Sequence, residues 1–335
     1  YGSRVKGPEA GLSLGTAAGA NFREGGGGSS GCCGGVLDVG LQGFAIARRL
    51  RVRVKRIWQF AGAMVRLFAF LGPGSMAQHT VEKIGGTSMT RFGEVMEHVI
   101  MGGRTDADLY QRIFVVSAYG GITNALLENK KTGEPGVFAH FAKGNGAWHE
   151  ALELVRSMMK GLNAKLVDLG LPQCEADAFV DERIDGVGSC LQDLRRVRSY
   201  GHLMDEDFLP ACMEMLSAIG EAHSAWNTAR ILQHQGVNAA FVDLSRWKET
   251  RVLPLDEVIE EAFREVDLSA TLPIVTGYIK CDIGIMAHFA RGYSEITFSK
   301  IAALTGAREG IIHKEYHLST GDPVLVGRDK VRVIG

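Results

Sequence analysis

The hexapeptide KIGGTS, Lys83–Ser88, predicts a strand that turns tightly into a helix. The alternating apolar run from His79 to Ile84 indicates the strand, and helical spacing follows from Arg91 to Met101. Glycines let backbone N–H groups approach an anion, and the following helix presents its positive end. The lysine adds a charge suited to a phosphoryl group, but it precedes the glycines, unlike a Walker A lysine. We therefore expect a phosphate-binding turn, with an ordinary tight turn as the alternative.

A second strand end has the same character. Arg112–Ser117 contains a buried-strand pattern, and it continues into the small and hydroxyl residues of Ala118–Asn124. Two strand ends about 30 residues apart fit one βαβ unit, and open parallel sheets bind ligands at the carboxyl ends of their strands. Ser117 and Thr123 are therefore expected at the same edge as KIGGTS. Helix capping and turn chemistry are the alternative for both residues.

The rest of the chain alternates helical and strand patterns. Further helices are predicted at 124–129, 148–169, 176–200, 210–234, 255–263 and 294–305, and further strands at 237–242, 272–276 and 310–313. Pro210 suits the first turn of its helix. The pattern predicts an α/β protein, a three-layer α/β/α sandwich with a mostly parallel sheet and a helical insertion.

Charge divides the chain into two unlike parts. Residues 1–75 contain ten Lys/Arg and three Asp/Glu, whereas residues 76–335 contain 27 basic and 35 acidic residues. The acidic body argues against a nucleic-acid partner. The apolar run 57–71 is too short for a membrane span and is interrupted by Arg66. Six dispersed cysteines without metal-ligand spacing indicate a cytoplasmic protein.

Residues 1–75 are also rich in glycine, with 17 of the 43 glycines of the chain. We expect a low-complexity basic leader, 1–75, that is disordered or non-native, followed by a catalytic domain at 76–335. Met76 then suits a natural start. A targeting leader and a flexible tail are the alternatives.

Four ordered motifs resemble those of aspartate kinases. They lie at Lys83–Ser88, Val115–Asn124, Gly220–Ala225 and Arg291–Glu295. Tyr293 departs from the family's usual glycine and Glu295 from its usual aspartate. Together with the run Ile311–Ser319, these departures resemble the branch associated with ectoine biosynthesis.

The resemblance implies the amino acid kinase fold and a specific reaction. Such enzymes transfer the γ-phosphoryl group of ATP to the side-chain carboxylate of L-aspartate, the first step of the aspartate pathway. Mg²⁺ would bridge phosphate oxygens. A homo-oligomer is expected for the full-length protein.

The resemblance also implies roles for individual residues. Lys83 would contact the phosphates and stabilise developing charge, and Glu295 would orient Lys83. The expected ATP-binding residues are Lys83, Gly85, Gly86, Ser117 and Asp322.

L-Aspartate would be held by a second set of side chains: Thr123, Glu221, Tyr278, Arg291 and Ser294. Arg291 suits the α-carboxylate because its planar fork binds bidentately, and Glu221 suits the α-ammonium group. The alternatives are a surface carboxylate for Glu221, a helix-start ion pair between Arg291 and Glu295, and a core aromatic for Tyr278.

The carboxyl-terminal region departs most from the family pattern. His313-Lys314 stands where aspartate kinases have Thr-Asp, so only Asp322 is kept as a nucleotide residue in this region. His313, Glu315 and His317 alternate on a strand and are a weaker candidate metal site. The chain is expected to lack a further nucleotide segment and regulatory domains. Another kinase of this fold, or a non-catalytic binding module, is the alternative function.

Overall fold

The structure is a computed structural model of the chain. It describes residues 78–201, 204–289 and 292–314, together with the backbone of two strands at 50–53 and 64–69. All of these residues lie within one compact unit, Ile46–Gly335. Among the described residues, no helix combines the length and apolar character needed to cross a bilayer.

A seven-stranded sheet forms the centre of this unit. Its strands are β1 (Leu50–Arg53), β2 (Met64–Ala69), β3 (Thr80–Ile84), β4 (Arg112–Val116), β5 (Ala239–Val242), β6 (Leu272–Thr276) and β7 (Glu309–His313). The spatial order is β1-β2-β7-β3-β4-β6-β5. The five strands from β7 to β5 are parallel, whereas β2 pairs antiparallel with β7 and β1 antiparallel with β2.

Ten α-helices connect or flank the described strands. They are α1 (Gly86–Thr90), α2 (Phe92–Glu94), α3 (Ile122–Leu126), α4 (Val137–Ala142), α5 (Trp148–Leu166), α6 (Gln173–Ser199), α7 (Asp205–His234), α8 (Leu255–Phe263), α9 (Ile285–Phe289) and α10 (Tyr293–Leu304). A π-helical turn, Val95–Met101, continues α2, and short 3₁₀ turns lie at Asp106–Leu109 and Val167–Leu169.

The central strands are buried on both faces. Every residue of β3, β4 and β6 is buried, as expected for parallel strands covered by helices. Successive side chains of β3 point to opposite faces, so Glu82 faces the π-helical turn and Lys83 faces α10. The predicted α/β fold with a mostly parallel sheet is therefore confirmed.

Three long helices lie between β4 and β5, where the sequence predicts a helical insertion beside the sheet. Helix α5 packs on α6 and α6 on α7, while α7 also packs against β4, β5 and β6. Arg156 of α5 reaches Asp181 and Asp185 of α6 at 2.7 and 2.6 Å. Only α5 and α6 are thus displaced from the sheet, because α7 belongs to the layer that covers it.

The prediction for the start of α7 is wrong. The helix begins at Asp205, so Pro210 lies inside it and not in its first turn. Asp207 accepts a hydrogen bond of 2.9 Å from the Met204 N–H and thereby caps the earlier start. Acidic residues at 205–207 also favour a helix N-terminus at this point.

Two shorter helices also differ from their predictions. Helix α3 begins at Ile122, not at residue 124, because Gly121 adopts a φ of 92° and turns the chain before it. The predicted helix 91–101 divides into α2 and the π-helical turn, which ends at Gly102 with a φ of 52°. Strand β6 and helix α8 have the predicted bounds.

Candidate active site

A buried lysine ends strand β3 at the carboxyl edge of the sheet. The Lys83 side chain is 3% exposed, and its Nζ donates a hydrogen bond of 2.7 Å to Oε1 of Glu295. Glu295 lies in the first turn of α10, and its side chain is 45% exposed. The ion pair is therefore open to solvent on the carboxylate side, whereas the ammonium group is buried.

The turn after β3 and the loop after β4, both predicted to bind phosphate or substrate, are in direct contact. A Cβ at Gly86 would lie 2.7 Å from the carbonyl oxygen of Ala118, so this position requires glycine. The Thr90 hydroxyl donates to the Gly86 carbonyl oxygen and accepts a hydrogen bond from the Gly120 N–H, both at 3.1 Å. The turn after β3 is therefore fixed against the loop after β4.

Hydroxyl groups line the adjacent strand end. The Ser117 N–H donates to the Ile84 carbonyl oxygen at 3.1 Å, which continues the pairing of β3 and β4. The Ser117 and Ser294 hydroxyl oxygens are 3.5 Å apart. Ser224 of α7 donates to the Ser117 carbonyl oxygen at 2.9 Å. Helices α7 and α10 therefore meet the end of β4 at one point.

Glu221 of α7 is buried beside this point. A Cβ at Gly277 would lie 2.9 Å from Oε2 of Glu221 and 2.6 Å from Cβ of Ser294, so glycine provides the space that both side chains occupy. Oε2 of Glu221 has no hydrogen-bond partner within the described residues. Burial raises the pKa of Glu221 from 4.5 to about 8, an effect that Lys83 opposes and Glu295 reinforces.

Tyr293 occupies the position where the resemblance expects glycine. Its hydroxyl forms a hydrogen bond with Glu221, which acts against the raised pKa of that carboxyl group. The Tyr293 ring packs edge-on against Tyr278, with ring centroids 5.9 Å apart. The departure from the family pattern therefore adds a polar contact to Glu221, the side chain that is predicted to bind the substrate.

Tyr278 has the geometry of a core aromatic residue. It is 3% exposed, and its hydroxyl donates to Oε2 of Glu214 at 2.9 Å. Glu214 also accepts a hydrogen bond of 2.7 Å from the Met286 N–H in the first turn of α9. Tyr278 thus supports the region before α10, and its role as a substrate ligand stays a prediction.

The structure brings most of the predicted residues together. These are Lys83, Gly85, Gly86, Ser117, Glu221, Ser294 and Glu295. Thr123 lies half-buried in the first turn of α3. Arg291, Asp322, Glu315 and His317 lie outside the described residues, so their predicted roles stay predictions.

The opposite face of β3 carries a second buried cluster of charges. Arg112 binds Glu82 through two nitrogens, at 2.7 and 3.1 Å, and donates to the carbonyl oxygens of Val99 and Ile100. The Thr80 hydroxyl and His313 Nε2 complete the contacts of Glu82 at 3.0 and 2.8 Å. We call these four side chains, Thr80, Glu82, Arg112 and His313, the Glu82 cluster.

The Glu82 cluster gives His313 a contact within the fold, whereas Glu315 and His317, the other two residues of the weaker metal candidate, lie outside the described residues. The Nε2 atom of His313 contacts a carboxylate that Arg112 already neutralises. No group of three His, Cys, Asp or Glu side chains suited to a metal occurs among the described residues. His313 therefore ties β7 to β3.

The KIGGTS signature gives no sign of two further residues at the site. Thr90 joins the two loops, and its only sequence signal is a hydroxyl residue four positions after Gly86, where it reaches back to a helical carbonyl. Lys314 follows β7, and its ammonium group would lie 3.9 Å from a Cβ at Gly85. The departure from Thr-Asp at 313–314 was the available signal for Lys314.

Comparison with known proteins agrees with this geometry. The model of the amino acid kinase family matches residues 78–332. The chain belongs to the amino acid kinase family. The matched region begins two residues before β3 and includes every described element of the candidate site.

The chain is also similar to individual members of the family. It is 52% identical over 259 residues to "Aspartate kinase Ask_Ect" of Stutzerimonas stutzeri (strain A1501), a match that covers 77% of this chain and 54% of the relative. The structure of E. coli aspartokinase III in complex with aspartate and ADP matches with a TM-score of 0.50 and 18% identity, over 77% of this chain and 53% of that one.

These matches confirm the predicted resemblance to aspartate kinases and the amino acid kinase fold. The chain spans about half the length of the curated relative and of the E. coli structure.

Proposed function

We propose that this chain is the catalytic domain of an aspartate kinase, which transfers the γ-phosphoryl group of ATP to the side-chain carboxylate of L-aspartate. The observation that carries the proposal is the 52% identity to an aspartate kinase over 259 residues, 77% of this chain. The family model, which matches residues 78–332, spans the described site. The product would be 4-phospho-L-aspartate, the first intermediate towards lysine, threonine, methionine and ectoine.

Lys83 is the proposed catalytic cation. Both reactants are anionic, so the site must neutralise charge and align the reacting groups. The buried ammonium group of Lys83 is held by Glu295 at 2.7 Å, next to the Gly85–Gly86 turn. Fixed in this way, it would stabilise charge on the transferring phosphoryl group without reorganisation.

Glu221 is the proposed partner of the substrate α-ammonium group. Its Oε2 is buried and lacks a hydrogen-bond partner among the described residues, and its pKa is raised to about 8. A bound cation would supply the missing partner and favour the ionised carboxylate. Binding of aspartate would therefore release a proton from Glu221 near pH 7.

The nucleophile needs no general base. The side-chain carboxylate of aspartate is already ionised near pH 7, and its oxygen attacks the γ-phosphorus while ADP leaves. Ser117 and Ser294, whose hydroxyl oxygens are 3.5 Å apart, lie where they can position the acceptor and the transferring group. Arg291 for the α-carboxylate and Asp322 for the nucleotide complete the proposed set.

Magnesium fits this arrangement as a companion of the nucleotide. The described residues offer no group of three ligating side chains, and Mg²⁺ in kinases is held largely by phosphate oxygens and water. The ion would neutralise phosphate charge when bound. Within the described part of the chain, Glu295 contacts Lys83 directly and Glu221 interacts with it electrostatically.

The test is an ATP- and magnesium-dependent assay that traps the acyl phosphate with hydroxylamine. Aspartate, glutamate and carbamate are compared as acceptors, on the 335-residue chain and on the longest natural form that contains it. We expect hydroxamate formation with aspartate alone. Turnover of glutamate or carbamate in preference to aspartate would indicate another kinase of this fold.

Binding without turnover would favour the non-catalytic alternative. Calorimetry with Mg-ATP and with aspartate distinguishes that case. A binding module would bind ligand both as the 335-residue chain and as the longer natural form, and neither would produce hydroxamate. A cytoplasmic location and a homo-oligomer are further expectations of this function, which fractionation and light scattering of the natural protein would check.

A further inference from the structure

We infer that Lys314 is a second phosphate-binding cation, placed beside the Gly85–Gly86 turn that follows Lys83. The inference deepens the proposed function, since it assigns a nucleotide contact to a position where the family pattern has an aspartate. It concerns the polyphosphate of the nucleotide, not the adenine or the amino acid substrate.

The first argument is the position of the ammonium group. Strand β7 ends at His313, and its register places His313 directly beside Ile84 of β3. Lys314 therefore leaves the sheet next to the KIGGTS turn, and its Nζ would be 3.9 Å from a Cβ at Gly85. Because Gly85 has no side chain, its backbone is not shielded from an anion that the neighbouring ammonium group could bind.

The second argument is charge. Lys83 is paired with Glu295 at 2.7 Å, so that lysine and its partner together add no net charge to the turn. Lys314 is exposed and forms no ion pair with any described residue. As far as the described residues extend, it therefore adds a positive charge without a paired carboxylate at a turn whose glycines let backbone groups approach an anion.

The third argument is how firmly β7 is held. His313 lies 2.8 Å from the buried carboxylate of Glu82, which Arg112 binds through two nitrogens. This contact fixes the residue that immediately precedes Lys314. The lysine therefore extends from a fixed backbone position, which reduces the entropy lost when its side chain contacts a phosphate.

The glycine at position 85 provides an independent test of the same space. Gly85 has a φ of −77° and a ψ of 158°, which alanine adopts without strain, and the nearest atom to a new Cβ would be Lys314 Nζ at 3.9 Å. Gly85→Ala should therefore fold normally. A loss of polyphosphate affinity in this variant would arise from occupied ligand space.

The experiment measures direct binding of ATP, ADP, AMP and inorganic tripolyphosphate by calorimetry, without aspartate. The variants are Lys314→Ala, Lys314→Glu and Lys314→Arg, with Lys165→Ala as the matched control, because Lys165 is an exposed lysine on α5. We expect Lys314→Ala to weaken ATP roughly tenfold, as for the loss of one charge-assisted hydrogen bond. Lys314→Glu should weaken it further, Lys314→Arg should remain near the parent, and AMP affinity should change least.

The inference fails if ATP and tripolyphosphate affinities of Lys314→Ala and Lys314→Glu stay within about twofold of the parent. It also fails if the parent binds neither compound. Failure of the proposed function is a separate result: a parent that binds tripolyphosphate through Lys314 but forms no aspartyl hydroxamate would retain the anion site and lose the aspartate kinase assignment.

Discussion

Two neighbouring residues of β3, Glu82 and Lys83, lie in separate clusters of charged side chains. The clusters differ in whether the carboxylate oxygens all have hydrogen-bond partners. On one face, Glu82 has partners for both oxygens, from Arg112, Thr80 and His313. On the other face, Lys83 pairs with a half-exposed Glu295, and Glu221 keeps an oxygen without a partner in the described structure. We call Lys83, Glu221 and Glu295 the Lys83 cluster.

The pKa values of the two buried carboxyl groups express this difference. Burial alone would raise the pKa of Glu82, but hydrogen bonds from His313 and Arg112 outweigh it and hold the pKa well below its ordinary value. Burial dominates at Glu221 and raises its pKa to about 8. A satisfied buried cluster stabilises the fold, whereas an incompletely satisfied one is suited to receive a charged ligand.

The largest effect is expected when the satisfied cluster is broken. Arg112→Met would leave the Glu82 carboxylate buried without its main counter-charge, which typically costs about 3–5 kcal/mol of unfolding free energy. Chemical denaturation measures the loss. The double variant Arg112→Met/Glu82→Leu is the control, because removing both charges should restore much of the stability. Equal losses in the single and double variants would contradict an electrostatic role for the pair.

The next effect concerns the Lys83 cluster and should appear in catalysis. Lys83→Met keeps the side-chain volume but removes a charge that acts in the transition state, so turnover should fall about a hundredfold to a thousandfold. Stability should change little, since Glu295 is 45% exposed and water can solvate it.

The hydroxamate assay and thermal melts measure these two effects on the same preparation. Lys165→Ala is again the control for the loss of a lysine. Turnover within a few-fold of the parent would exclude the catalytic role of Lys83. A loss of stability as large as that of Arg112→Met would indicate that the Lys83 cluster, like the Glu82 cluster, mainly stabilises the fold.

Glu221 allows a test with a definite pH signature. In the unfolded chain its carboxyl group ionises near 4.5, whereas in the folded, ligand-free protein it ionises near 8. Between these values the folded state holds a proton that the unfolded state releases, so the contribution of Glu221 to stability falls as pH rises and is lost above about 8.

Glu221→Gln should remove that fall and make the ligand-free protein more stable than the parent at pH 8. It should also raise the KM for aspartate with less effect on ATP, because the amide cannot provide the negative charge for an ammonium group. Melting temperatures from pH 5 to 8 test the first expectation. The opposite sign is expected for Glu82, whose stabilising contribution is present above its ordinary pKa and lost as pH falls. A parent and variant with the same pH dependence would refute the burial of an un-ionised Glu221.

The sequence predicted those parts of the site that depend on backbone conformation better than those that depend on contacts between distant residues. Gly86 faces the Ala118 carbonyl oxygen, and the requirement for glycine is visible in the motif itself. Most strands were predicted within two residues, because continuous apolar runs indicate buried parallel strands. The amino acid kinase fold was predicted from the order of the four motifs, because the spacing of apolar residues in helices and strands does not by itself specify that fold.

Long-range partners could not be predicted in the same way. Nothing local to Glu82 indicates that Arg112 and His313 complete its contacts, since these residues lie 30 and 231 positions away. The hydrogen bond from Tyr278 to Glu214 likewise spans 64 positions. The start of α7 was predicted too late for a different reason. Pro210 was taken as the stronger signal for a first turn, although Asp207 caps the helix by a contact with the nearby Met204 N–H.

The smallest effect is expected from the amino-terminal region. The sequence predicts that residues 1–75 form no part of the catalytic domain, and the family model begins at residue 78. The backbone nevertheless places β2, from this region, antiparallel to β7. Strand β7 thus has β2 on one side and β3 on the other, where His313 contacts the Glu82 cluster.

Deletion of residues 1–75 tests whether the β3 side alone is sufficient to hold β7. We expect an unchanged melting temperature and unchanged ATP affinity, because the buried contacts of His313 with Glu82 and the parallel pairing to β3 remain. Solubility should improve, since the deletion removes a basic and apolar segment. A second deletion, of residues 1–49, keeps β1 and β2 and is the matched control. If only the longer deletion lowers stability, the two antiparallel strands belong to the folded domain, and a boundary at Met76 would be wrong.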